Sequence, residues 1–89
     1  MGKLKNSLQA DALANLYRSA FYLGLGEVGA ALSFLKKSFD RIEKKKLRNL
    51  KKIVSHPSLL ASKKQQLFWA EKILDLYREE RDKMVEEEI

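Results

Sequence analysis

Between Glu27 and Val54 the apolar residues Val28, Leu32, Leu35, Phe39 and Ile42 recur at spacings of four, three, four and three, which is one face of an α-helix. After Ile42 the next apolar residue is Leu47, five positions on, followed by Leu50, Ile53 and Val54, so the stripe shifts around the axis. Lysines occupy positions 44 to 46, and lysine is a good helix former. The pattern therefore predicts one unbroken helix over 27–54, roughly 42 Å long at 1.5 Å per residue.

A shorter helix is predicted before it, over 7–23, with Ser7 as N-cap and Leu13, Leu16, Tyr17, Ala20 and Phe21 on one buried arc. Gly24-Leu25-Gly26 follows, and Gly24 is the candidate left-handed C-terminal residue. Pro57 ends the second helix, because the residue before proline is driven out of the α region. A third helix is predicted over 58–86, opening with Pro57 in its first turn or later at Ser62, where Ser62 to Gln65 has capping-box spacing. Leu67, Ala70, Leu74 and Tyr77 form one stripe on it, while Trp69, Ile73 and Leu76 form a second. A helix apolar on two sides has two neighbours.

These elements predict an all-α protein: an antiparallel three-helix bundle with two long helices and one shorter N-terminal helix, in a single domain over 1–89. A chain this short buries only about 60–65% of the surface it exposes when unfolded. The short first helix covers half of the long hairpin, leaving Leu47, Leu50, Val54, Leu60 and Phe68 without cover. Together with Trp69, Ile73 and Leu76 they are the candidate partner-binding residues, and the expected partner is a second copy or another helical protein.

Charge adds a second candidate surface. The formal charge is +1 over residues 1–35, +9 over 36–64 and −4 over 65–89. Lys44, Lys45, Arg48, Lys51 and Lys52 lie toward one side of the second helix, where phosphates of nucleic acid, or less readily an anionic membrane surface, are attracted. No aromatic residue is interleaved there for base stacking.

Catalytic patterns are absent. His56, the one histidine, stands in a Ser-His-Pro turn without converging partners. Glu71 with Asp75 and Glu79 with Asp82 have helical spacing, but each lies near a basic residue and reads as a surface ion pair. Gly24, Gly26 and Gly29 match dinucleotide-fingerprint spacing, yet they join two helices and follow no strand. There is no cysteine, and the first residues lack the apolar segment of a signal peptide. The expectation is a basic, cytoplasmic, non-enzymatic protein without cofactor, metal or small-molecule substrate. It acts through protein–protein interaction as a homodimeric regulator or adaptor, with a nucleic-acid-binding module as the alternative.

Overall fold

A computed structural model describes the backbone of residues 2–42 and 44–88 and the side chains of 9–42 and 45–85. Every regular element in these residues is helical, so the protein is all-α. Helix α1 spans Gly2–Gly24, α2 spans Val28–Ser38, α3 spans Lys44–Ser55 and α4 spans Lys63–Glu88. Short 3-10 turns, Phe39–Arg41 and Pro57–Leu60, precede α3 and α4.

Helix α1 begins ahead of Ser7, which therefore is not its N-cap; the Ser7 side chain lies outside the described residues. The helix ends in a Schellman motif. The Gly26 N–H donates to Leu23 O at 3.0 Å and the Glu27 N–H to Tyr22 O at 2.9 Å, with Gly26 at φ +84. The left-handed residue is thus Gly26, and the predicted Gly24 remains the last helical residue. Ser19 then ties the hairpin together, its buried hydroxyl donating to Ala31 O at 2.8 Å.

The predicted helix over 27–54 is broken. Helix α2 stops at Ser38, whose hydroxyl donates back to Leu35 O at 2.7 Å, and Ile42 is extended at φ −122, ψ 142. The stripe explains the break. On a continuous helix the run Leu47 to Val54 would be centred about 50° around the axis from the run Val28 to Ile42 at 100° per residue, with Leu47 and Val54 turned furthest from the first stripe. Turning the chain lets Ile42, Leu47, Leu50 and Ile53 all enter the core. Burying each such side chain contributes about 1.5–3 kcal/mol, against about 1 kcal/mol for each helical hydrogen bond given up, so burial wins.

Helix α4 starts from a completed capping box: the Gln65 N–H donates to Ser62 Oγ at 3.2 Å, and the Ser62 N–H donates to Gln65 Oε1 at 3.1 Å. Of the two openings the sequence offers for this helix, Pro57 and Ser62, the second is the one used, and Pro57–Leu60 is a separate 3-10 turn that buries Leu60.

Sequence neighbours run antiparallel. Lys63 Nζ donates to Gly24 O at 2.6 Å, while Gln9 and Leu13 share a cavity with Glu80 and Met84, so α4 descends along α1. Lys46 pairs with Glu80 at 3.0 Å, and the Gln66 side chain donates to Leu60 O, so α3 rises along α4. Helix α1 packs on α2 and α4, and α3 sits between α2 and α4 on the far side. In cross-section the order around the bundle is α1, α2, α3, α4, which sets the α1–α4 edge opposite the α2–α3 edge. The core lies between, and includes Leu16, Leu23, Leu35, Leu47, Ile53, Leu60 and Ile73.

Candidate functional site

Turning α3 back moves most of the predicted partner surface inside. Leu47, Leu50, Leu60, Ile73 and Leu76 are buried within the chain, because α3 supplies the cover that a straight second helix would have left to a partner. Val54 and Trp69 are half-buried, and Phe68 alone of the eight is exposed, at 54%. Phe68 meets Trp69 edge to face, with centroids 5.4 Å apart and Lys72 Nζ 5.3 Å from the Phe68 ring. They border a groove of about 380 Å³ between α3 and α4, which Lys46, Asn49 and Glu79 also line.

A different apolar surface is open. Tyr17 and Phe21, expected in the core, are 52% and 54% exposed, and Leu67 and Val85 are 48% and 49% exposed. The Tyr17 and Tyr77 rings lie 5.7 Å apart, joining α1 to α4 on this side. On α1, residues Ala10, Ala14, Tyr17 and Phe21 are at least partly exposed and follow four-three-four spacing. On α4, residues Leu67, Glu71, Leu74, Arg78, Arg81 and Val85 are at least partly exposed and alternate steps of four and three. Both series have the 3.5-residue period of helix-packing seams. The heptad spacing was readable in the sequence, but it overlaps the buried stripe of each helix by one position on the wheel.

The α2–α3 edge is cationic. Lys45, Arg48 and Lys52 lie within about 60° of arc on the outer side of α3, and all are exposed. Lys51 is exposed beside them, its Nζ 5.7 Å from the Phe39 ring. Lys44 opens α3, but its side chain lies outside the described residues. Lys36 and Lys37 on α2 are exposed as well, and residues 36–55 together carry a net charge of +7. Among the described residues these exposed cations make no ion pair; the interhelical pair goes to Lys46, which meets Glu80. The exposed positive charge is thus gathered on the α2–α3 side, while the turn before α3 brings Lys46 back to the acidic stretch of α4.

His56 sits exposed ahead of the second 3-10 turn. Asp75 pairs with Arg78 at 3.5 Å and Asp82 with Arg81 at 3.3 Å, both on the surface. Among the described residues no group of His, Asp or Glu is arranged to hold a metal ion, and no helix is long and apolar enough to cross a membrane. No known protein family, curated protein or solved structure matches the chain.

Proposed function

We propose that the chain is a non-enzymatic interaction protein that works as a homodimer, joined through the outer face of α1 and α4. The observation that carries this reading is the exposure of Tyr17, Phe21, Leu67 and Val85 along one side of the bundle. Its outline, 42 by 21 Å, has room for the roughly 800 Å² per partner that a standard interface buries.

A second copy is favoured because the face complements itself when reversed. Setting α4 antiparallel to its counterpart about Leu76 brings Leu67 opposite Val85 of the other copy, Glu71 opposite Arg81 and Leu74 opposite the stem of Arg78. The same operation on α1 sets Ala10 opposite Phe21 and Ala14 opposite Tyr17, small against large. The Tyr17–Tyr77 contact and the shared cavity of Gln9 and Met84 set the midpoint of the α1 seam level with Arg78, two residues or about 3 Å along the axis from Leu76, so one axis serves both helices after a small shift of register. The cationic α2–α3 edges then point away from each other. The bundle is 18–21 Å thick, against a screening length of about 8–10 Å at physiological salt, so repulsion between the two edges is weak.

A charge-swap cycle read by sedimentation equilibrium tests the pairing. Glu71→Arg alone and Arg81→Glu alone each weaken the dimer about tenfold, from two symmetric like-charge contacts of about 0.7 kcal/mol each, and the double swap restores it. Single swaps that leave the dimer unchanged contradict the pairing.

A further inference from the structure

We propose that the homodimer bridges two segments of double-stranded nucleic acid, each held by its phosphates on the α2–α3 edge of one copy. The inference rests on the homodimer proposed above, and it follows from the opposition of the two edges. Joining the copies through α1–α4 turns the two α2–α3 edges outward in opposite directions, so that one duplex cannot occupy both.

The edge has the chemistry of a backbone contact. Lys36, Lys37, Lys45, Arg48, Lys51 and Lys52 are exposed and have no carboxylate partner among the described residues. Along α3 the line from Lys45 to Lys52 extends about 10 Å, close to the roughly 12 Å width of a major groove flanked by phosphates. What the edge lacks narrows the ligand. None of the large exposed apolar residues among the described residues lies on α2 or α3, and the half-buried rings of Phe34 and Phe39 are engaged by Lys37 and Lys51. The edge therefore offers no open ring to stack on unpaired bases and no apolar wedge to insert into a lipid surface. A double-stranded backbone asks for neither, and a face of this kind binds it without reading sequence.

The test uses a short mixed-sequence duplex fixed to beads and a second, fluorescent duplex in solution, with the mass of the protein measured in the same buffer. At low salt the wild type retains the fluorescent duplex on the beads, and retention falls steeply as salt is raised. Leu67→Glu, made on the exposed face, yields a monomer that binds the bead duplex and retains no second one. The triple change Lys45→Gln, Arg48→Gln and Lys52→Gln leaves a dimer that binds neither duplex. A dimeric wild type that binds the bead duplex without retaining the second overturns the bridging alone. A monomeric wild type overturns the homodimer, and the bridging with it. Binding to vesicles rich in anionic lipid with none to the duplex, or full retention by the triple variant, overturns the assignment of the edge to nucleic acid.

Discussion

Gly26 decides the geometry of the first turn, because its φ of +84 closes the Schellman motif that reverses the chain after α1. A Cβ there would meet Gln66 Oε1 at an ordinary 3.5 Å, so the obstacle to substitution is backbone conformation and not space. Gly26→Ala is expected to cost about 1–2 kcal/mol, and Gly24→Ala, in helical backbone with nothing within 4 Å, to be neutral or stabilising. Thermal melts of both variants check this, at roughly 4–8 °C for each kcal/mol in a chain of this size. The sequence marked this turn correctly and chose the wrong glycine, since spacing alone cannot say which residue makes the last helical turn. The Ser62–Gln65 capping box was legible because both of its partners are local. Burial was less so: Leu50, assigned to a partner surface, is 3% exposed inside the chain. Leu50→Ala is therefore expected to destabilise the fold by about 2–5 kcal/mol in denaturant titrations.

Among the elements, α2 and α3 show where local and tertiary preferences part. The lysine run and the absence of Gly or Pro favour an unbroken helix, but propensity differences are only tenths of a kcal/mol per residue. Three apolar side chains of α3 outweigh them. The five-residue step from Ile42 to Leu47 carried the signal, and it was visible in the sequence, although phase alone does not distinguish a coiled helix from a turned one. The connection is expected to be a weak point of the fold. Backbone amides of Phe39–Ile42 should exchange with solvent faster than those in the middle of α1 and α4, as hydrogen-exchange mass spectrometry would register. Equal protection across the connection would favour a continuous helix. Lys46 and Glu80 brace the turned arrangement from the other side, with 26% and 16% of their side chains exposed.

At the scale of the molecule, helix lengths suggested that half of the long hairpin needed cover, and the cover comes from the chain itself. The unfilled requirement moves to the opposite edge, where Tyr17, Phe21, Leu67 and Val85 remain open. The sequence assigned Tyr17, Phe21 and Leu67 to buried stripes because each sits one wheel position from residues that are buried. The mass of the protein in solution, by light scattering after size exclusion at micromolar concentration, tests the proposed assembly most directly. The account predicts twice the 10.3 kDa chain mass for the wild type at low and high salt, and a folded monomer for Leu67→Glu. A wild type that is fully folded and strictly monomeric would contradict it.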